Sequence, residues 1–224
     1  MTLPNDSVTV TPGAGATIAT HLASGKEYQV NMVADADGHI QGSAPIYLLF
    51  QQPRVLGTSA SDQWDLFNAT GSGKVIRIRA LYPSLIQTAA TAFTASFQFE
   101  LRRTSAVGTG GTAHTFEATT TPAAGAVNVA RISTVDPTLP AQITARSLPT
   151  GGATNAAHLF NITLHAEETQ PSSHQLQLVN WLPELPGDPP FELQEGQGIK
   201  LRQTSVVAST GLSIGWLVAF GTVP

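Results

Sequence analysis

Hydrophobic and polar residues alternate along most of the chain, which is the pattern of half-buried β-strands. The clearest run extends from Ala92 to Arg102, and its first face is aromatic and aliphatic from Phe93 to Leu101. Leu212–Phe220 and His158–His165 alternate in the same way. We therefore predict a strand in each run and a buried core that includes Phe97, Phe99, Ile162, Ile214 and Trp216.

Shorter segments with the same two-residue period are separated by glycine-rich or proline-rich turns. They are Tyr28–Val33, Ile46–Phe50, Trp64–Phe67, Lys74–Tyr82, Thr112–Thr120, Val127–Arg131, Gln142–Arg146, Gln175–Asn180, Phe191–Leu193 and Ile199–Gln203. No stretch of eleven residues has a convincing helical period, and Ser84–Ala92 comes nearest to one. The pattern predicts an all-β fold, an antiparallel β-sandwich of jelly-roll type over residues 46–224.

The first 45 residues differ from the rest of the chain. Thr2–Thr20 is rich in threonine, glycine, alanine and proline, so it has too few apolar residues to build a core of its own. It is either an extended arm that lies on a partner chain or a mobile terminus. Alternating valines and the strand pattern that follows favour the arm. We predict an arm and anchoring strand over residues 1–45, with partner contacts at Val8, Val10, Ile18 and Tyr28.

Charge and cysteine content exclude several classes of protein. Charged residues make up 12 % of the chain, about half of the usual ~25 %, and the net charge is −4. Nucleic-acid binding through clustered basic residues is therefore excluded, and so is a polybasic membrane surface. The chain has no cysteine, which excludes thiol chemistry and disulfides. The neutral surface fits a protein packed against neighbours, and it fits a neutral all-β domain equally well.

Candidate catalytic and metal-binding motifs are incomplete. Asp35 and Asp37 have the spacing that opens a calcium loop, but the twelfth position is Ile46 rather than glutamate. His165 and Glu167 share a strand face, yet no histidine pair has metal-ligand spacing. The sequence contains no GxSxG elbow, and Gly108–Gly111 lacks the residues of a phosphate loop. We predict no catalytic residue, no metal, no cofactor and no enzymatic activity.

Two tryptophans support a carbohydrate-binding alternative. Trp64 and Trp181 lie near predicted loops, where an exposed indole ring would stack on a sugar. A role in the core or in an interface is the more common use of tryptophan. A glycoside hydrolase would need two converging carboxylates, and the sequence does not indicate which acidic residues converge.

Four segments, in this order, resemble virion structural proteins of tailed bacteriophages. They are VTVTPGAGATIATHLASGKEYQVNMVADADG (Val8–Gly38), LFNATGSGKVIRIRALY (Leu66–Tyr82), FELRRTSAVGTGGTAHT (Phe99–Thr115) and FELQEGQGIKLRQTS (Phe191–Ser205). The leader of that family often carries an Arg-Val-Lys run after its Tyr-Gln pair. Here Val30-Asn31-Met32 follows instead, so the resemblance implies no basic contact at this point.

The resemblance implies a β-sandwich that is bound to the capsid shell, the neck or the tail, without enzymatic activity. We expect a capsid decoration (cement) protein that is located in the virion after assembly in the host cytoplasm. The expected partners are sister subunits in a homotrimer and the major capsid protein or another virion protein. The alternative is a neck, head-fibre or tail-fibre module for host attachment or carbohydrate binding.

Overall fold

The chain divides into two compact units, residues 1–44 and 45–224. The computed structural model describes residues 16–23, 26–33, 45–87, 94–134, 136–150, 155–167, 179–180, 191–205, 208–209 and 211–223. In the first unit, β1 (Ala16–Ala23) and β2 (Lys26–Val33) form an antiparallel hairpin. The strand predicted at 28–33 lies within β2. The described part of this unit is therefore a hairpin, and the arm predicted over residues 1–45 stays a prediction.

The described part of the second unit is built from strands and contains no helix. The strands are β3 (Ile46–Val55), β4 (Ser61–Asn68), β5 (Val75–Gln87), β6 (Thr94–Thr104), β7 (Thr112–Ala113), β8 (Thr115–Phe116), β9 (Val127–Arg131), β10 (Ile143–Ser147), β11 (Asn155–Glu167), β12 (Val179–Asn180), β13 (Phe191–Leu193), β14 (Gln197–Gln203) and β15 (Leu212–Val223). Within the described residues, no helix is long and apolar enough to cross a membrane.

These strands form two sheets. One sheet has the order β11-β6-β14-β4-β10-β7, and the other has the order β12-β5-β15-β3-β9-β8, with β13 also paired to β5. Every pairing is antiparallel except that of β8 with β9. The predicted all-β class and the β-sandwich are therefore confirmed.

The strand pairs are nested along the chain. β3 pairs with β15, β4 with β14, β5 with β13, and β6 with β11. Residues between β6 and β11 add β9 beside β3 in one sheet and β10 beside β4 in the other. The early strands of this unit therefore pair with the late strands in reverse order along the chain.

The core lies between the two sheets, where the predicted apolar faces meet. Phe97, Phe99, Ile162 and Ile214 are fully buried, and Trp216 is 1 % exposed. All five core predictions are therefore confirmed. The rings of Phe99 and Trp216 meet edge to face with centroids 4.9 Å apart, which is a favourable geometry for two aromatic quadrupoles.

Two predicted segments have different bounds in the structure. The strand predicted at 112–120 is split, because Glu117 has a left-handed backbone with φ 49° that ends β8. The strand predicted at 74–82 extends to Gln87, because Ser84–Gln87 pairs with Leu212–Gly215. Tertiary pairing thus overrides the weak helical period of this stretch.

One part of the outer face of the seven-stranded sheet is apolar, beside the Arg77–Glu192 ion pair of β5 and β13. Tyr82, Leu217 and Phe50 lie in one row across three strands. Ala219, Leu48 and Ala130 lie in the next row. No charged residue occurs in segments 46–50, 80–86, 128–130 and 213–219, which build this surface. We call it the apolar face; Tyr82 on it is 40 % exposed.

The outer face of the six-stranded sheet is charged. In one row, Arg146 is in register with Asp65, Asp65 with Lys200, and Lys200 with Arg102. In the next row, Arg202 lies between Asp62 and Glu100. Charged residues of both signs therefore lie side by side in these two rows of the six-stranded sheet.

Candidate functional site

A pocket of about 470 Å³ lies where the chain crosses from β3 in one sheet to β4 in the other. Arg54 comes from the end of β3, Asp62 from the start of β4, and Arg202 from β14. The full lining consists of Arg54, Ala60, Ser61, Asp62, Leu148, Pro149, Thr150 and Arg202. We call it the arginine pocket. Its volume is within the range of small-ligand sites, about 300–1,000 Å³.

The carboxylate in the arginine pocket is shared by two cations. Asp62 accepts hydrogen bonds from Nζ of Lys200 and Nη1 of Arg202, each at 3.1 Å. The Lys200 and Asp62 side chains are 5 % and 9 % exposed, so this ion pair is largely shielded from water. The negative charge of Asp62 is therefore already compensated without Arg54.

Arg54 has no such partner among the described residues. Its Nε is buried and makes no hydrogen bond. Burial lowers the pKa of the guanidinium, because removing a cation from water disfavours its charged form. The side-chain stem passes close to Gly125, where a Cβ would lie 3.0 Å from Cδ of Arg54. Gly125 thus leaves room for a guanidinium that carries an unused buried donor.

Leu148 begins the wall of the pocket formed by residues 148–150, and its backbone is strained. Its φ is 51°, a left-handed value that a leucine rarely adopts. The Leu148 amide donates to the Gln63 carbonyl at 3.0 Å, and the Thr150 amide donates to the Thr109 carbonyl at 2.9 Å. These two bonds hold the wall in place from two separate parts of the chain.

Asp65 lies behind this wall, under the loop of residues 105–111. The Gly108 amide donates to Oδ2 of Asp65 at 2.8 Å, and Oδ1 is buried without a hydrogen-bond partner among the described residues. Burial raises the pKa of the Asp65 carboxyl. Its effect exceeds the opposite effects of the backbone hydrogen bonds and of the positive charge of Arg146. Asp65 anchors the loop that supports the pocket wall.

His114 is the single residue between β7 and β8, and it lies beside β10. Nδ1 of His114 lies 3.1 Å from the Ala145 amide nitrogen and 3.3 Å from the Ala145 carbonyl oxygen, within hydrogen-bond distance of both. Burial lowers the pKa of His114, since the charged ring would lose its water. The neutral imidazole ring therefore continues the contact with β10 beyond the end of β7.

Acidification should weaken the fold through His114. The folded pKa lies below the usual value of 6.5, so the unfolded chain takes up a proton more readily. Its stabilising contribution is complete above the unfolded pKa and is lost as the pH falls through that value towards the folded pKa. We expect urea denaturation between pH 8 and pH 5 to show this loss.

The control variant is His114→Gln, whose side-chain oxygen can still accept from Ala145. It should show a flatter stability profile in the same pH window. If the variant lost as much stability as the native chain, the assignment of this effect to His114 would be wrong.

Most of the site residues predicted from the sequence lie outside the pocket. Ile18 pairs with Asn31 and Tyr28 with His21 in the first hairpin. Trp64 is fully buried, because β4 begins at Ser61 and directs this ring into the core, so it cannot stack on a sugar. The predictions for Val8, Val10, Asp35, Asp37 and Trp181 lie outside the described residues, as do the side chains of Ile18, Tyr28, His165 and Glu167.

Arg54, Asp62 and Arg202 were not singled out from the sequence. One signal was available: Lys200 and Arg202 are two residues apart in a strand, so they place two cations on one face. The partner of these cations and the position of Arg54 depend on long-range pairing. In the part of the chain that the structure describes, no three histidine, aspartate or glutamate side chains form a metal-ligand group.

Comparison with known proteins gives no further assignment. No protein-family model, curated protein or solved structure matches the chain. The functional argument therefore depends on the residues and on the geometry of the two faces and the pocket.

Proposed function

We propose that this protein is a non-enzymatic virion structural protein of a tailed bacteriophage, a capsid decoration (cement) protein that stabilises the head shell. The observation that carries the proposal is the apolar face. Its row of exposed Tyr82 and half-buried Leu217 and Phe50, in segments without charge, is typical of a surface that binds another protein.

The nested strand pairs support a jelly roll. In such a fold, a long hairpin rolls up so that its first strand pairs with its last, and the inner strands pair in turn. Here the pairs β3–β15, β4–β14, β5–β13 and β6–β11 have that order. Jelly rolls are frequent among viral capsid and lectin domains, so this fold is compatible with shell binding and with carbohydrate binding.

The proposed mechanism is adhesion in a homotrimer. The apolar face packs against sister subunits, and the charged face of the other sheet stays outside this contact. Residues 1–45, with Val8, Val10, Ile18 and Tyr28, contact a neighbouring chain such as the major capsid protein. Many weak contacts repeated over the shell resist internal pressure through multivalency. The proposal needs no cofactor, nucleic acid or membrane.

The arginine pocket favours a second candidate, a host-attachment or carbohydrate-binding module of a neck or fibre. Two arginines, one carboxylate and two hydroxyl side chains converge there beside apolar residues. This is a suitable lining for a polar ligand, since a few directed polar groups give specificity within an otherwise apolar site.

Tyr82→Lys tests the assembly proposal. Tyr82 is 40 % exposed, so the variant should fold, and a lysine on the apolar face should leave a desolvated charge in the interface. We expect the native protein to be a trimer by mass photometry and the variant to be monomeric at the same micromolar concentration. Binding to empty capsids should weaken in parallel.

Gln98→Lys is the matched control, because Gln98 is exposed on the outer face of the other sheet. This variant should remain trimeric and bind capsids as the native protein does. A native protein that is monomeric both in solution and in intact particles would contradict the proposal, as would a trimer that is unaffected by Tyr82→Lys.

A further inference from the structure

Arg54 is the unbalanced charge of the arginine pocket. Asp62 is bound by Lys200 and Arg202, while Nε of Arg54 is buried without an acceptor among the described residues. Arg54 lines the pocket and makes no ion pair among the described residues, so its positive charge is not compensated there by a carboxylate. The pocket therefore has a position for an anionic group.

Arg202 adds further donors at the same place. Its side chain is 37 % exposed, and it contacts Asp62 through Nη1. A guanidinium has five N–H donors in a planar fork, which matches the two oxygens of a carboxylate. Arg54 and Arg202 lie on different sheets, so they approach the pocket from two sides.

The remaining lining matches a sugar ring. Asp62, Ser61 and Thr150 offer acceptors and hydroxyl groups for sugar hydroxyls, and Leu148 and Pro149 offer an apolar surface for the C–H groups of a ring. A peptide is disfavoured, because β4 and β14 are interior strands and have no free edge for backbone pairing.

The strained wall indicates a preformed site. Leu148 keeps its φ of 51° because the loop of residues 105–111 fixes it from behind, where Gly111 packs directly on the Ser147 and Leu148 carbonyls. Strain of this kind persists only where the surrounding structure imposes it, and it is concentrated at ligand sites.

We infer that the arginine pocket binds the carboxylate of an acidic sugar such as a uronic acid, with Arg54 and Arg202 as the anion-binding pair. Asp62 and the neighbouring hydroxyl side chains then hold the ring hydroxyls. The inference rests on the second candidate function, the carbohydrate-binding module, and it is independent of assembly through the apolar face.

The test is calorimetric titration of the full-length protein with a glucuronic acid oligosaccharide and with the matching neutral glucose oligosaccharide. The native protein should bind the acidic sugar and bind the neutral one at least about tenfold more weakly, because a hydrogen bond to a charged group contributes about 1.5–3 kcal/mol. Equal binding of both sugars, or binding of neither, would overturn the inference.

Arg54→Gln should lower the affinity for the acidic sugar about tenfold or more without lowering thermal stability, because it removes a half-buried cation that has no ion-pair partner among the described residues. Arg54→Lys keeps the charge and loses the fork, so it should also bind more weakly. Arg77→Gln is the control, since Arg77 pairs with Glu192 on β13, outside the lining of the pocket, and should not affect binding.

Three results distinguish the acidic-sugar site from a peptide-binding site and from the assembly proposal. Native affinity in both Arg54 variants would overturn it. Equal binding of a poly-glutamate peptide would replace the sugar with an acidic peptide. The monomeric Tyr82→Lys variant should still bind the acidic sugar, so failure of the assembly proposal and failure of the sugar site give different outcomes.

Discussion

Replacing Phe97 with alanine should lower the free energy of unfolding by about 3–5 kcal/mol. Phe97 is fully buried and lies opposite Leu164 on the neighbouring strand β11, which is buried as well. Removing the ring leaves a cavity between two sheets whose backbones are fixed by their ladders, so the site collapses only in part. Urea denaturation monitored by tryptophan fluorescence measures the loss.

Gln98→Ala is the control for this experiment. Gln98 follows Phe97 in the same strand, but its side chain is exposed on the opposite face. It should change stability by no more than about 0.5 kcal/mol. A loss below about 1 kcal/mol for Phe97→Ala would show that the assignment of the inner face of β6 is wrong.

The second large effect is expected at Gly111. Its φ is 62°, and a Cβ there would overlap the carbonyl oxygens of Ser147 and Leu148. Because backbone atoms cannot move aside as a flexible side chain does, Gly111→Ala should destabilise the protein by about 2–4 kcal/mol. It should also displace the pocket wall and weaken binding of the acidic sugar.

Gly73 provides a matched control with the same φ of 62° and no atom within 4 Å of an added Cβ. Gly73→Ala therefore measures the backbone strain alone, about 1 kcal/mol. Thermal and urea denaturation of the two variants separate strain from steric overlap. Equal losses would contradict the close approach between Gly111 and residues 147–148.

The two-residue period predicted the strands and the core because it reports a local property, the alternation of side chains across a pleated strand. Val127–Arg131 and Phe191–Leu193 have the predicted bounds. The same reasoning was less successful where local patterns compete with long-range pairing. The sequence predicts Trp64 as the first residue of a strand, next to a loop, whereas β4 begins three residues before it.

The sequence alone does not predict the arginine pocket, because its residues meet only in the folded chain. The pocket residues come from three separate parts of the chain, the β3–β4 connection with Arg54 and Asp62, the segment at Leu148, and β14 with Arg202. Each residue alone is an ordinary arginine, aspartate or leucine in a strand or loop. The left-handed backbone of Leu148 also depends on packing by Gly111 and has no sequence signature of its own.

Nested pairing also affects how the chain reaches its folded state. β15 lies between β3 and β5, so the seven-stranded sheet cannot close until residues 212–223 are available. During synthesis, the edges of β3 and β5 that later contact β15 stay unpaired while most of the chain is made. Closing such long loops before their contacts form is slow. A chaperone that shields these edges during translation would therefore raise the yield of folded protein.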